Sequence, residues 1–257
     1  MPDFAEDIRA AHPDFEFPLL DDAVTRAQAA LLEVSRVRDV SPLAKLPFKT
    51  RTVIQSALRR NCELRDSFVL AFNQKLYAPL FILARASIET GALAWDVWRG
   101  TESLVDLDET SGLVEFDARV VSILLGSRTG SGAGDPDEYR APNVLTIIDR
   151  LSKGDVPRLR DTYNELSEYA HPNYAGLLEA YTTSDPLNRQ VIFDDTPFEL
   201  LPELVGAALH SLGVGLGLTV LAMENYESRM TDFAVLCERG LFEDGTWPES
   251  LPYPVNR

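Results

Sequence analysis

One stretch constrains this chain more than any other. From Leu204 to Met223, twenty residues run with His210 as the only strongly polar member. As a helix the run would be about 30 Å long, enough to cross a bilayer. Its flanks are acidic on both sides: Asp194, Asp195, Glu199 and Glu203 precede it, and Glu224 and Glu227 follow. No basic bias orients it across a membrane. A helix apolar all round otherwise belongs at the centre of a bundle, and that is the reading adopted, with no membrane partner. Thr196 is the expected N-cap and Pro197 the first helical position, the helix running from Phe198 to about Cys237. Gly213, Gly215 and Gly217 each cost about 1 kcal/mol inside a helix, which points to close approach of a neighbour.

The rest of the chain reads as helices that could cover this one. Val24, Ala27, Leu31 and Val34 recur at helical spacing from a cap at Asp21 or Asp22 to about Asp39. Pro42 and Pro47 break that pattern. Residues 48–76 carry a second pattern. A nearly all-apolar third follows Pro79 and runs to Trp98, with Arg99-Gly100 as its expected end. Further helices fit 111–125, 143–151 and Pro157 to His171. The glycine-rich run 126–142 reads as a surface loop, and 180–196 as a small β-hairpin or a loop around Ser184-Asp185-Pro186. No fixed-period repeat argues for a solenoid. The expected fold class is all-α: a single helical-bundle domain of six to eight helices over residues 21–238. An extended arm (1–20) precedes it and a Pro-rich tail (239–257) follows.

Composition narrows the chemistry. Of 257 residues, 45% are hydrophobic, so a sizeable core can form. The net charge of −16 disfavours a general polyanion binder, because phosphate binding rests on clustered Lys and Arg. The two cysteines, Cys62 and Cys237, stand far apart, which argues against a disulfide framework or a thiolate metal site and suits a reducing cytosol. The first residues are acidic and lack the apolar core of a signal peptide, so a cytoplasmic protein is expected. Neither a metal nor a cofactor is expected.

Two constellations could carry chemistry. Arg85 and Glu89 stand one turn apart on the third helix among apolar neighbours, either as an internal ion pair or as the lining of a pocket. In Tyr163 to Asn173, Val156, Leu159, Tyr163, Leu166 and Ala170 form the buried seam. Arg160, Asn164, Ser167 and His171 form a polar stripe beside it. His171, at a helix C-terminus, can shuttle protons or simply bond a backbone carbonyl. His12 lies in the arm and His210 in the apolar helix, so His171 is the expected titrating group.

Other motifs fall short of their chemistry. Glu168 to His171 is a single ExxH, and a di-iron bundle needs two. Ser167 with His171 lacks the third group and oxyanion hole of acyl transfer. Gly130 to Gly134 lacks the Lys-Ser/Thr of a phosphate loop, and Asp106 to Thr110 reads as an acidic helix-capping loop. Lys49, Arg51, Arg59, Arg60 and Arg65, with Lys45 before them, form a basic face on the second pattern. Such a face is usually solvated, but could dock an acidic partner or a short RNA.

The helices carrying Arg85-Ala86-Ser87-Ile88-Glu89 and Tyr163 to Asn173 resemble a set of bacterial helical-bundle proteins grouped as a domain of unknown function. That set shares RAxxE and YxxLSExxHPN helices, and the resemblance spans roughly residues 50–235. It implies that these two helices lie side by side. The bundle is also distantly similar to the HEPN ribonucleases of toxin–antitoxin and phage-defence systems. Their motif has Arg four to six residues before His on one helix. Here Arg160 stands eleven residues before His171, about 16 Å along the axis. The HEPN chemistry would therefore need Arg85 to enter from the neighbouring helix.

These readings converge on a cytosolic binding or regulatory module. Arg85, Glu89, Tyr163, Ser167, His171 and Asn173 would form one polar cluster that binds an anionic or carbonyl group through Arg85. The alternative is a metal-independent ribonuclease with His171, Arg85 and Glu89 as its catalytic groups. A third reading is a structural subunit docking a partner through the basic helix. A homodimer or protein partner is expected, and nucleic acid is not favoured.

Overall fold

The computed structural model describes residues 2–126, 141–179, 181–185, 187–193 and 202–244. They form an all-α helical bundle with one small antiparallel hairpin. The helices are α1 (Glu6–Ala11), α2 (Phe17–Ala30), α3 (Val37–Val40), α4 (Leu46–Asn73), α5 (Tyr77–Leu107), α6 (Leu113–Leu125), α7 (Val144–Lys153), α8 (Leu159–Ala170) and α9 (Pro202–Asp244). A π-helical turn, Tyr174–Glu179, separates α8 from strands β1 (Thr182–Asp185) and β2 (Gln190–Phe193). The strands pair Thr182 with Phe193 and Asp185 with Gln190.

The apolar run lies in α9, which packs most extensively on α5, with α4 against both. By length and composition α9 could cross a membrane, but 61% of its most apolar stretch is buried inside the bundle. The α5–α9 crossing is close because glycine allows it. A Cβ on Gly91 would lie 2.3 Å from the Gly215 carbonyl oxygen, and one on Gly215 would lie 2.3 Å from Ser87 Oγ. Gly217 meets nothing within 4 Å, and Gly213 only the Phe15 ring at 3.9 Å. Close packing thus accounts for Gly215 and not for the other two. Buried Asn61 of α4 ties the crossing together, donating to the Gly215 carbonyl at 2.9 Å and to Thr219 Oγ1 at 2.5 Å.

Several elements differ from the sequence reading. Residues 2–20 are not an extended arm. Phe4 and Ile8 are buried, and the Phe4 ring packs edge-on against Phe17, Phe68 and Phe72. Its Pro- and Asp-rich composition hid a short amphipathic segment that the core needs. The helix expected to run to Asp39 ends at Ala30. Arg99-Gly100 does not end α5, which continues to Leu107. Gly100 is there for space: a Cβ would meet the Phe116 ring at 2.5 Å. The cap falls instead at Asp108, in the left-handed conformation with φ 53°, inside the loop read as acidic and capping. Residues 239–244 are the last turns of α9 and not part of a tail. The rest of the tail, the glycine-rich run at 127–140, and Thr196 and Pro197 lie outside the described residues.

Candidate functional site

The polar cluster forms where α8 crosses α5. Leu159, Tyr163 and Leu166 of α8 are buried on the expected seam. That seam turns the Tyr163 phenol toward α5, where Arg85 and Glu89 stand one turn apart. Arg85 Nε donates to Tyr163 Oη at 2.9 Å and to Glu89 Oε1 at 3.1 Å. Tyr163 Oη donates to the same Glu89 oxygen at 2.7 Å. The three groups therefore close a ring of hydrogen bonds, and the guanidinium carbon lies 5.0 Å from the centre of the Tyr163 ring. Burial, and then the hydrogen bond to the Glu89 carboxylate, raises the Tyr163 phenol above its ordinary value. Tyr163 is thus a proton donor fixing Glu89, which fixes Arg85.

The guanidinium is held on its Nε side and reaches toward solvent on the other. Nη1 lies 3.5 Å from His171 Nε2. His171 is the C-cap of α8, exposed, with its backbone N–H bonded to the Ser167 carbonyl. Arg85 and Glu89 are about one-third exposed. The cluster is thus a half-open shelf: Tyr163 forms the floor, Glu89 the inner wall, and Arg85 with His171 the rim.

The structure brings together four of the six expected residues. Ser167 and Asn173 do not join them. Ser167 Oγ donates back to the Tyr163 carbonyl at 2.8 Å, as a mid-helix serine often does. Asn173 folds over the end of α8, donating to Glu168 at 2.8 Å and accepting from the Gly176 N–H at 3.0 Å. It starts the π-helical turn. Arg160 pairs with Asp149 at 3.1 Å.

Only part of the basic face is solvated. Lys49 is buried and bonds both Asp117 oxygens at 2.7 and 2.9 Å. Arg51 grips Glu227 with two bonds at 2.6 and 2.8 Å. Arg65 is 2% exposed, donating to the Pro2 carbonyl at 2.5 Å and to Asp66 at 2.9 Å. Arg59 and Arg60 are exposed, but Arg59 reaches the Leu32 carbonyl and Arg60 Nε donates to Thr90 Oγ1 at 3.2 Å. Lys49, Arg51 and Arg65 are thus committed to partners within the bundle, while Arg59 and Arg60 stay on its surface.

Among the described residues, no group of three or more His, Cys, Asp and Glu is arranged to hold a metal ion. His12 and His210 each pack edge-on against a phenylalanine, Phe72 and Phe15 respectively. A second polar centre, around Asp96, Arg119 and Arg150, was not read from the sequence, because its three members come from three helices far apart in the chain. Comparison with known protein families finds no matching family model, and comparison with curated proteins and with solved structures returns no match.

Proposed function

We propose that the chain is a binding module and that the shelf of Arg85, Glu89, Tyr163 and His171 takes an anionic group, a carboxylate or a phosphate. The observation that carries this reading is the way Arg85 is held. Its Nε side is saturated by Glu89 and Tyr163, which leaves Nη1 beside His171 at the rim. A guanidinium fixed in this way has lost its rotamer freedom before a ligand arrives, and its fork matches oxyanion geometry. Glu89 orients Arg85, and the imidazole supplies a second donor at the rim. Inorganic phosphate is the first probe. Its addition should shift the His171 ring signals in NMR, with saturation, and Arg85→Gln should abolish the shift. Ring signals that ignore phosphate would overturn the reading.

A second reading rests on the entry of Arg85 from α5 beside His171 of α8, which the HEPN-like chemistry requires. There His171 is the general base, Arg85 the phosphate clamp and Glu89 the group holding it. Incubation with total RNA separates the two readings. Cleavage that survives EDTA and disappears in His171→Ala supports the ribonuclease. Intact RNA at high protein concentration supports the module.

A further inference from the structure

A cavity of about 340 Å³ opens between α5, α6 and α7. Its wall carries three arginines, one from each helix: Arg99, Arg119 and Arg150. In a chain of net charge −16, three guanidinium groups converging on one concavity call for an account of their counter-charges. Arg99 is balanced: its Nη1 pairs with Glu102, and its Nε faces Asp155 at 3.5 Å. Asp155 in turn accepts the Trp95 indole N–H at 2.7 Å. Arg119 and Arg150 share a single counter-charge. Both converge on Asp96, Arg150 through Nη1 at 2.6 Å and Arg119 on the other carboxylate oxygen. Asp96 is buried, 4% exposed, and one carboxylate serves two cations. Burial, and then the charge of Arg150, lowers the Arg119 guanidinium from its ordinary value. Two like charges are thus held on one carboxylate, while Arg99 beside them faces two, Glu102 and Asp155.

We propose that this cavity is a binding site for a small phosphate-bearing molecule, with Arg119 and Arg150 as its oxyanion ligands and Asp96 as the fixed group that orients both forks. Arginine forks match phosphate oxygens in pairs, and two of them aligned by one carboxylate form a preset clamp. Arg150 keeps 59% of its side chain exposed, so a ligand from solvent can reach its fork while Asp96 holds Nη1. The wall at Gly154, where the nearest atom a Cβ would meet is the Arg150 carbonyl at 3.9 Å, leaves room beside it. The volume sits at the low end of ligand pockets, so the fit is a phosphomonoester and not a polymer. The site is separate from the His171 shelf: Asp96 lies eleven residues beyond Arg85 on α5, about 16 Å along its axis.

The test is calorimetric titration with inorganic phosphate and with glycerol 3-phosphate in an Arg85→Gln background, which removes the first anion shelf. Saturable binding of one equivalent is expected. Arg150→Gln should weaken it at least tenfold, and Arg119→Gln should do the same, both with unchanged far-UV circular dichroism. Arg150→Lys, which keeps the charge and loses the fork, should fall between. Absence of binding in the Arg85→Gln background would overturn the proposal, as would binding that neither Arg150→Gln nor Arg150→Lys alters.

Discussion

Cys237 shows what burial does to a titrating side chain in this bundle. Its thiol is fully enclosed, and desolvation, then the nearby charges of Asp117 and Glu238, push it far above its ordinary value of 9.0. Tyr226, whose hydroxyl donates to the Pro47 carbonyl at 2.5 Å, is raised for the same first reason. In both, the folded value lies above the unfolded one, so folding favours the neutral form. Their contribution is complete below the ordinary thiol and phenol values and is lost as pH rises, because only the unfolded chain releases the proton. Each such group removes about 1.4 kcal/mol per pH unit once the unfolded form titrates. Urea midpoints should therefore fall between pH 8.5 and 10.5, and Cys237→Val should flatten that fall. Parallel curves for the two proteins would show that the thiol does not drive it. At this scale the candidate site was partly legible. The seam spacing of α8 placed Tyr163 inward, and the one-turn spacing placed Arg85 by Glu89. Nothing local indicated that Ser167 would turn its hydroxyl to its own helix or that Asn173 would cap the next turn. Lys49 and Arg51 of α4 were misread for a related reason. Their counter-charges, Asp117 and Glu227, lie 68 and 176 residues away in the chain.

Between elements, the decisive contact is the glycine crossing of α5 and α9, and it separates two substitutions of the same kind. In Gly215→Ala the new methyl would meet Ser87 Oγ at 2.3 Å and its backbone at 2.5 Å. The two helices must then part, which costs about 1–3 kcal/mol and more if Asn61 loses its bonds to α9. In Gly217→Ala the methyl meets nothing within 4 Å. Only the helix-propensity gain remains, about 0.5–1 kcal/mol. Thermal unfolding should show the melting temperature falling in the first variant and rising in the second. A fall in both would mean that the crossing does not depend on Gly215 alone. Helical periodicity exposed most of these elements, because each buries one continuous stripe. It misplaced their ends where glycine serves a neighbouring helix, as Gly100 serves Phe116.

For the molecule as a whole, the N-terminal segment decides whether the bundle unfolds as one unit. Phe4 seals the end of α4 against Phe68 and Phe72, with Phe17 on its other side. The backbone is pinned beside it: the Ala5 N–H donates to Asn73 Oδ1 at 3.1 Å, and Asn73 Nδ2 donates to the Asp3 carbonyl at 2.8 Å. The Pro2 carbonyl also accepts a hydrogen bond from the buried Arg65 guanidinium. Detaching this segment would thus expose three aromatic rings and remove a hydrogen-bond partner from an enclosed charge. Phe4→Ala leaves the pins in place and removes only the ring. It should cost about 3–5 kcal/mol, as large-to-small changes of a buried Phe do. Because the ring touches α2 and α4 together, the loss should lower the midpoint of a single denaturation transition, followed by fluorescence and circular dichroism alike. An additional early transition in one probe, with the main one unmoved, would instead mark residues 2–12 as a separable flap and contradict their role in closing the core.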